Sequence, residues 1–524
     1  MKRILLLMTL AMVALLCPLP AHSQAAVESW VQRYNGPGNG ADYATDLAID
    51  TNGNLFVTGY SAGSGTDYDY ATIKYSGAGV PLWTNHYNGP GNSSDQAYAV
   101  AMDGSGNVFV AGASARTNGL PLNYDYSTIK YSGGGVPLWT NRYNGPHNHD
   151  DLCVAMALDT NGNVFVTGRS ISKIGNDIDY DYATIKYSGA GVPLWTNRFN
   201  GPDNGADSAS DIALDTSGNV FVTGRSAGIG SFWPDYVTIK YSNAGLPMWT
   251  NRYNGPHSID EAKAVAVDIN GNVFVTGESL GSGSSSDFAT IKYSGAGVPL
   301  WTNRYDGGSS DTANAIALDS SGNVLITGDS SGSGSLLDYA TIKYSNGGVP
   351  LWTNRFNGSA NHRDEAAAVA LDNNDNVFVS GYSVSNNGVE DYATVAYSGL
   401  GVPQWTKRYN GPASWVDSVT DIAVDGSGNV FITGFSTGSA GDYDYATIKY
   451  STIPPSLTIA FTPPNTVAIS WPSPSTGFTL QQNTNDIATT NWSNVLTTPT
   501  DNGTTKTVIV NPPSGTRFYR LSSP

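Results

Sequence analysis

Cysteine is scarce in this sequence. The 524 residues contain two cysteines, Cys17 and Cys153, and Cys17 lies in an N-terminal segment that we expect to be removed. A single remaining cysteine excludes an internal disulfide. Cys153 stands where most copies of the repeat described below place alanine, so we interpret it as a small buried residue rather than a reactive thiol.

Charge is also sparse, and its balance is acidic. Charged residues make up 13% of the chain, and the formal net charge is -17. Such a surface repels nucleic acids and anionic membranes. The sequence has no H-E-x-x-H motif and no phosphate-binding glycine loop, and we expect no G-x-S-x-G motif of a nucleophile elbow. We therefore predict no metal, no cofactor, and neither a nucleic-acid nor a membrane partner.

Long apolar runs are absent except at the N-terminus. Lys2 and Arg3 precede an apolar stretch from Ile4 to Leu16, which is too short to span a bilayer, and small residues follow it. This pattern is typical of a secretory signal peptide, which we assign to residues 1–23. We therefore expect a secreted, extracellular protein, and association with a cell surface stays open.

A long repeat dominates the rest of the chain. The stretch DYATIKYSGAGVPLWTNHYNGP at residues 69–90 recurs, with its tryptophan spaced by 51 to 56 residues. That period suits a propeller blade better than a leucine-rich repeat. We interpret the recurring tryptophans as wedges between blades. They are Trp30, Trp83, Trp139, Trp195, Trp249, Trp301, Trp352 and Trp405.

Each repeat divides into four strand-like runs, A to D, separated by turn residues. In the first complete repeat the runs are ATDLAID, NLFVTGY, DYATIKYS and VPLWTNHYNG. Strand A carries small aliphatic residues, whereas strand D carries tryptophan and tyrosine. In seven copies a proline, which cannot donate to a strand ladder, lies two residues before the tryptophan. We therefore place strand A at the axis and strand D at the outer edge.

The two ends of the repeat region complement each other. It begins with a lone D strand around Trp30 and ends with strands A, B and C. We predict that the N-terminal strand completes the last blade, because closure removes the free sheet edges. The predicted fold is all-β, an eight-bladed β-propeller of four-stranded blades over residues 28–451. The alternative, a linear solenoid, leaves the end strands unpaired.

The repeat resembles a known family. The pattern of DYATIKYS, GVPLW, RYNGP and SGNVFVTG is similar to the bacterial β-propeller repeat SBBP of secreted proteins. The resemblance implies an extracellular propeller of largely unassigned function and supplies no catalytic residues. The segment SGAGVPLW is also similar to the tryptophan-docking motif of pyrroloquinoline-quinone dehydrogenases. Those enzymes usually carry adjacent cysteines, which this chain lacks.

The repeat pattern stops after Ser451. Residues 452–456, TIPPS, read as a linker, and residues 457–524 contain runs that alternate as strands do. We predict a small immunoglobulin-like or fibronectin-like β-sandwich here. Its role could be sorting, attachment or spacing.

Most acidic residues belong to the repeat itself. Three aspartates recur in every copy, as Asp42, Asp50 and Asp69 do in the first. Since a residue present in every blade is structural first, we assign them to strand starts and turns. A calcium loop at Asp50 is the alternative, although Leu55 takes the place of its required glycine. We expect recurring basic residues such as Lys74 to pair with these aspartates between blades.

Differences between repeats should indicate where function lies. Four copies carry a tyrosine directly before the strand-C aspartate, and these copies become consecutive once the ring closes. Aromatic rings beside carboxylates can stack on sugar rings and accept hydrogen bonds from their hydroxyls. The alternative is that these tyrosines merely pack between blades. The candidate ligand-binding residues are Tyr68, Tyr124, Tyr180, Tyr443, Trp233, Trp415, Asp67, Asp179 and Asp442.

These observations favour a binding protein over an enzyme. We predict a secreted, non-catalytic binding or scaffold propeller, monomeric, whose partner is an extracellular glycan or protein. The ligand would bind on the face formed by the B–C and D–A loops. The alternative is a polysaccharide-active hydrolase or lyase that uses carboxylates of the same loops.

Overall fold

The computed structural model divides the chain into two compact units, Ala25–Thr452 and a unit that contains Ile453–Pro524. It describes residues 26–452, except 66, 117–122, 174–178, 203, 229–232, 258, 282–284 and 333–335. It also describes residues 457–522, except 463–465, 473–478, 485–490, 503–504 and 511–516. The predicted signal peptide therefore lies outside the described residues. Across these ranges the protein is all β, without a helix.

The described part of the first unit contains thirty-two strands, each seven to ten residues long. The first seventeen are β1 (Ala26–Tyr34), β2 (Asp42–Ile49), β3 (Leu55–Ala62), β4 (Tyr68–Tyr75), β5 (Pro81–Tyr87), β6 (Asp95–Met102), β7 (Val108–Ala115), β8 (Tyr124–Tyr131), β9 (Pro137–Tyr143), β10 (Asp151–Leu158), β11 (Val164–Lys173), β12 (Asp179–Tyr187), β13 (Pro193–Phe199), β14 (Asp207–Leu214), β15 (Val220–Ala227), β16 (Pro234–Tyr241) and β17 (Pro247–Tyr253). The others are β18 (Asp260–Val267), β19 (Val273–Leu280), β20 (Ser286–Tyr293), β21 (Pro299–Tyr305), β22 (Asp311–Leu318), β23 (Val324–Ser331), β24 (Leu337–Tyr344), β25 (Pro350–Phe356), β26 (Asp364–Leu371), β27 (Val377–Val384), β28 (Glu390–Tyr397), β29 (Pro403–Tyr409), β30 (Asp417–Val424), β31 (Val430–Thr437) and β32 (Tyr443–Thr452).

These strands form repeated four-stranded antiparallel sheets, as the sequence predicts. Strands β2–β5 are sheet 1, and each further set of four consecutive strands up to β29 forms the next sheet, to sheet 7. Sheet 8 has the order β1-β32-β31-β30, so the N-terminal strand completes the sheet built by the last three strands. The lone strand around Trp30 therefore pairs where its sequence position predicts.

The sheets contact one another in sequence order, and the last contacts the first. First strands of neighbouring sheets touch in an unbroken series, and β2 of sheet 1 touches β30 and β31 of sheet 8. Exposed apolar residues recur on the fourth strands, such as Leu82 at 51% exposure, whereas the first strands are mostly buried or half-buried. The predicted placement of strand A inside and strand D outside is therefore confirmed.

The hydrophobic core lies between sheets rather than within one. Phe56 and Tyr70 of sheet 1 are buried in a cluster with Ala97, Val108 and Val110 of sheet 2. The Tyr70 hydroxyl reaches further, donating to the Ser127 carbonyl 3.3 Å away. An aromatic side chain is large enough to fill the widening gap between two twisted sheets.

The recurring tryptophans occupy the outer part of these interfaces. The Trp195 ring packs against Phe165 and Tyr241, with centroid distances of 5.9 and 6.1 Å. Its Nε1 donates to the Asn243 carbonyl of the next sheet at 3.0 Å. Gly245 lies beneath the ring with φ of 82°, and a Cβ there would come 2.7 Å from the indole. The wedge interpretation of these tryptophans is therefore confirmed.

Sheet 8 differs from the others in lacking a turn between its third and fourth strands. Those strands, β32 and β1, come from opposite ends of the unit and pair out to Ala26 and Thr452. Ala26 is buried and joins the cluster that contains Trp405. Trp405 Nε1 is buried without a hydrogen-bond partner among the described residues, whereas the other seven tryptophans donate to a turn carbonyl.

The C-terminal unit consists of two small sheets. Their orders are β33-β34-β38-β37 and β36-β35-β39. Buried Val467, Ile469, Trp471 and Val508 of the first sheet share one core cluster with Leu480 of the second. The strands are β33 (Thr458–Thr462), β34 (Thr466–Pro472), β35 (Thr479–Asn483), β36 (Ser493–Asn494), β37 (Thr500–Asp501), β38 (Thr505–Val510) and β39 (Phe518–Ser522).

Candidate functional site

The face of the first unit that carries the B–C and D–A loops, here called the loop face, holds a cluster of aromatic rings. Tyr43 lies at its centre, with ring centroids of Tyr60 at 5.0 Å and Tyr68 at 6.1 Å within sheet 1. From sheet 8, Phe435 lies 5.2 Å and Tyr443 5.4 Å from the Tyr43 ring. All five rings are partly exposed, so the cluster presents an aromatic surface across the contact between sheets 8 and 1.

The aromatic cluster, defined by those five residues, continues towards sheet 2. The Tyr98 ring lies 6.5 Å from that of Tyr60, and its hydroxyl donates to Gln96. Tyr124, also partly exposed, has its backbone N–H bonded to the Asp150 carboxylate at 3.1 Å. In sheet 3 the Arg169 guanidinium stacks on Tyr180, 4.8 Å from the ring centre.

The predicted tyrosines therefore differ in their surroundings. Tyr68 and Tyr443 meet through Tyr43, whereas Tyr180 packs against an arginine. The suggested alternative, packing between blades, is partly right, because these rings touch neighbouring side chains while keeping part of their surface open.

The other predicted residues also differ in exposure. Trp233 and Trp415 are 53% and 66% exposed. Asp67 is exposed and accepts a hydrogen bond from Ser93 Oγ at 3.0 Å, and Asp442 is exposed as well. Asp179 is instead buried, and its carboxylate accepts the Tyr180 N–H at 2.9 Å, so it does not line the open surface.

Sequence reasoning missed Tyr43, Tyr60 and Phe435 because it compared loops only. These residues lie inside β2, β3 and β31, at the ends of the strands nearest the loop face. Tyr43 and Tyr60 are direct cross-strand partners, which brings their rings together on the pleated surface. A signal was present, since Leu152 and Ala113 occupy the equivalent positions in other repeats.

The opposite half of the loop face, formed by sheets 4 to 7 and here called the charged half, carries several ion pairs. Arg225 of sheet 4 pairs with Glu261 of sheet 5 at 2.7 Å, and Lys263 lies 3.7 Å from Glu278. In sheet 7 Arg363 pairs with Glu365. These three bases therefore compensate the charges of Glu261, Glu278 and Glu365 within the protein.

The same ion pair between an arginine and an aspartate recurs below the loop face in seven sheets. In sheet 3, Arg198 Nη2 lies 3.0 Å from Asp181, and Nη1 donates to Ser170 and to the Tyr143 hydroxyl of sheet 2. The predicted pairing between blades is wrong for the recurring arginines, because these ion pairs form within one sheet. The bond to Tyr143 nevertheless links two sheets.

Sheet 1 holds His86 where the other seven sheets hold this arginine. The His86 imidazole contacts the Tyr34 hydroxyl of sheet 8. Partial desolvation by its neighbours lowers the pKa of His86, whose side chain stays partly exposed, so the imidazole is uncharged near neutral pH. Burial raises the pKa of Tyr34 to about 12, and the negative charges of Asp42 and Asp69 add to that shift. The site in sheet 1 thus lacks the positive charge found in its equivalents.

The recurring turn aspartates serve the backbone. Asp50 Oδ1 accepts the N–H groups of Asn52 and Asn54 at 2.9 and 2.8 Å, and Oδ2 accepts the Asn54 side chain at 2.7 Å. Every donor is local, which confirms the turn interpretation of this aspartate. Lysines such as Lys130 pair with the turn aspartate of their own sheet, Asp103, at 3.4 Å. The predicted pairing between blades is wrong for these lysines, because strand register brings lysine and turn together within one sheet.

One further correction concerns serine. The pattern G-x-S-x-G occurs at the ends of five second strands, as at Gly277–Gly281. Its serine, Ser279, is buried and accepts a hydrogen bond from Arg304 at 2.5 Å. A nucleophile elbow needs a sharp strand-to-helix turn with an exposed serine, so this serine is structural.

One group of carboxylates among the described residues has the spacing of a metal site. Oxygens of Asp287, Asp306 and Asp311 lie within 4.8 Å of one another. Arg304 already pairs with Asp287 at 2.7 Å, and Asp311 accepts the Gly307 N–H at 2.6 Å. A cation would have to compete with the guanidinium, so we assign no metal to this group.

Comparison with known proteins supports the propeller fold. The β-propeller repeat model SBBP matches at residues 30–65, 194–230, 249–283 and 404–439. Each match starts at or beside a recurring tryptophan, which confirms the predicted resemblance at these four places.

Two curated proteins are similar to this chain. An uncharacterized WD repeat-containing protein of Acanthamoeba polyphaga mimivirus is 24% identical, covering 65% of this chain and 29% of that protein. The regulatory protein FlaEY of Caulobacter vibrioides is 27% identical, covering 37% of this chain and 22% of that protein. The chain thus spans less than a third of either relative. Among solved structures, Sqt1 from Chaetomium thermophilum has a TM-score of 0.49 at 11% identity, covering 82% of this chain and 100% of that one.

No helix long and apolar enough to cross a bilayer is present in the described parts of the chain. Cys153, predicted to be a small buried residue, is fully buried, and burial raises the pKa of its thiol to about 12. A thiol in that state is un-ionised and unreactive near neutral pH.

Proposed function

We propose that this chain is a secreted, eight-bladed β-propeller that binds an extracellular glycan through its aromatic cluster and catalyses no reaction. The eight four-stranded sheets and the contact between sheets 8 and 1 support the blade count. The WD repeat-containing relative and the propeller fold support a binding or scaffold role, since such folds present loops on a rigid frame.

The observation that carries the glycan proposal is the partly exposed aromatic cluster. Tyr43, Tyr60, Tyr68, Phe435 and Tyr443 hold one another in place, so their rings cost little entropy to fix when a ligand binds. Pyranose rings offer an apolar face for stacking and hydroxyls for hydrogen bonds. The exposed carboxylates of Asp67 and Asp442, which precede two of these tyrosines, supply acceptors.

The remaining parts of the proposal concern the ends of the chain. The shared core of the two C-terminal sheets supports a small β-sandwich, whose role in attachment or spacing is part of the proposal. Secretion follows from the signal peptide assigned to residues 1–23. N-terminal sequencing of protein recovered from the medium of an expressing cell tests it, and an uncleaved intracellular chain would contradict it.

Binding is tested with the purified full chain on a panel of immobilised glycans, assaying both retention and cleavage products. The test variant is Tyr43→Leu with Tyr60→Ala, which installs residues that the equivalent positions of sheets 3 and 2 already carry. The matched control is Tyr382→Ala, at the position of Tyr60 but on the charged half. We expect the double variant to lose retention and the control to keep it.

Two results would contradict the proposal. Retention that is equal in all three proteins excludes the aromatic cluster as the binding surface. Cleavage products that persist through stringent purification would favour the hydrolase or lyase alternative.

A further inference from the structure

Around the aromatic cluster, the charged residues of the B–C and D–A loops of sheets 1 and 8 are all acidic. The B–C loops of sheets 1 and 8, residues 63–67 and 438–442, each contain one charged residue, Asp67 and Asp442. Both aspartates are exposed. The D–A loops that enter these sheets, residues 35–41 and 410–416, contain no charged residue. Negative charge without a neighbouring base is thus a local property of this sector.

The sheet that contributes most of the cluster also lacks a positive charge that the other sheets have. Seven sheets carry an arginine at the position of His86, and in sheet 8 this arginine, Arg33, pairs with Asp444 at 2.8 Å. Sheet 1 keeps the two framework aspartates, Asp42 and Asp69, with imidazole in place of guanidinium. This substitution removes one positive charge from the sheet that contributes three of the five clustered rings.

The charged half of the loop face provides the internal comparison. There, acidic side chains of sheets 5 and 7 lie against Arg225, Lys263 and Arg363. The carboxylates of Glu261, Glu278 and Glu365 are therefore compensated. Around the aromatic cluster, the exposed carboxylates of Asp67 and Asp442 precede clustered tyrosines, and the B–C and D–A loops of sheets 1 and 8 contain no basic residue.

We propose that the glycan bound by the aromatic cluster carries free ammonium groups, as an amino-sugar polymer does. This inference rests on the function proposed above and specifies its ligand class. Aromatic faces attract cations through their quadrupole, and exposed carboxylates add a Coulombic term of the same sign. Anionic glycans, such as uronic acid polymers, meet the acidic protein surface and are repelled.

The test measures binding of the full chain to three hexasaccharides in mildly acidic buffer, where the amines are protonated. They are a glucosamine hexamer, its N-acetylated counterpart and a galacturonate hexamer. We expect the glucosamine hexamer to bind about tenfold more tightly than the N-acetylated one, with an affinity that falls as salt is raised. The galacturonate hexamer should not bind.

The decisive variant is His86→Arg. The fold accommodates it, because seven sheets already hold an arginine there that pairs with an aspartate, and five of these arginines also donate to a tyrosine hydroxyl of the preceding sheet. It restores the missing positive charge without touching the aromatic rings. We expect a roughly two- to tenfold loss of affinity for the glucosamine hexamer and no change for the N-acetylated hexamer. Asp67→Asn with Asp442→Asn should act in the same direction.

The outcomes separate this inference from the proposed function. Equal binding of both neutral and amino hexamers, lost in Tyr43→Leu/Tyr60→Ala, would keep the glycan site and overturn the preference for ammonium. Preference for galacturonate would also overturn it. A lysine hexapeptide that binds as tightly as the glucosamine hexamer does, with no change in the tyrosine variant, would also overturn the inference, because it would show charge attraction that does not involve the aromatic cluster. Failure of every hexamer would count against the proposed glycan function itself.

Discussion

The pairing of tryptophan Nε1 with a turn of the next sheet allows a test with an internal control. Trp195 donates to the Asn243 carbonyl at 3.0 Å, whereas Trp405 is 8% exposed and its Nε1 has no partner among the described residues. Replacing either tryptophan by phenylalanine removes the same atoms. The two variants differ mainly in whether a hydrogen bond is lost or an unsatisfied buried donor is removed.

The magnitudes follow from that difference. Trp195→Phe loses one net hydrogen bond, worth about 1 kcal/mol, and the Asn243 carbonyl keeps a second donor in Lys186 at 3.2 Å. Trp405→Phe removes a buried N–H that has no acceptor among the described residues, which raises the free energy of unfolding by about 1–3 kcal/mol. Deeper packing of Trp405 makes its lost ring atoms more costly, by about 1 kcal/mol. We therefore expect Trp195→Phe to be the more destabilising variant by roughly 1–3 kcal/mol.

Urea denaturation of the full chain, followed by far-UV circular dichroism, measures both free energies of unfolding. Trp83→Phe serves as a second hydrogen-bonded example, because Trp83 donates to the Gly133 carbonyl at 3.2 Å. Equal losses in Trp195→Phe and Trp405→Phe would refute the reasoning. A larger loss in Trp405→Phe would show that packing, and not the hydrogen bond, dominates these interfaces.

Three further predictions concern closure, turn geometry and pH. Deleting residues 29–37 removes most of β1, so we expect aggregation or loss of cooperative unfolding; an unchanged melting transition would exclude closure by this strand. Gly245→Ala should lower the free energy of unfolding by about 1–3 kcal/mol more than Gly53→Ala, since both have positive φ but only a Cβ at Gly245 meets an indole. Calorimetric melting of the two variants decides this, and equal losses would contradict it. Burial raises the pKa of Asp211 to about 6, above the value of about 3.9 in the unfolded chain. The protonated Asp211 carboxyl therefore contributes to stability at acid pH, and this contribution is lost as pH rises through about 6. Asp211→Ala, which copies the residue of five other sheets, should therefore flatten the fall of the melting temperature between about pH 4 and 7; an unchanged slope would contradict this.

The architecture was predictable because every repeat carries the same sequence signals for its strands and turns. The tryptophan period, the proline before it and the unmatched end strands led to the observed order of strands, including β1 beside β32. The site was less predictable. Tyr43 and Tyr443 are 400 residues apart in the sequence, and only the contact of sheet 8 with sheet 1 brings their rings to 5.4 Å. Burial of Asp179 could not be deduced either, because it depends on how its loop folds back on the sheet.

The departures of sheet 7 from the repeat follow from the turn that sheet 8 lacks. In the other sheets a lysine of the third strand donates to the turn carbonyl of the next sheet, as Lys343 does to Gly399 at 2.9 Å. Sheet 7 faces no such turn and has Ala396 instead of the lysine. In the fourth strand of six sheets an asparagine donates to the same turn, as Asn354 does to Gly401 at 2.7 Å, and sheet 7 has Lys407 there.

Both substitutions lie on sheet 7 and not on sheet 8, because the donors belong to the sheet that precedes the turn. A lysine buried at position 396 would lose its carbonyl acceptor and retain its desolvation cost, so alanine is the residue that the interface favours. Trp405 remains because its ring still fills the gap against Phe378 and Tyr450, at 5.8 and 6.0 Å. A series of sheets in which the last is completed by the other end of the chain therefore cannot have identical interfaces throughout, and the sequence adapts at the interface where the turn is missing.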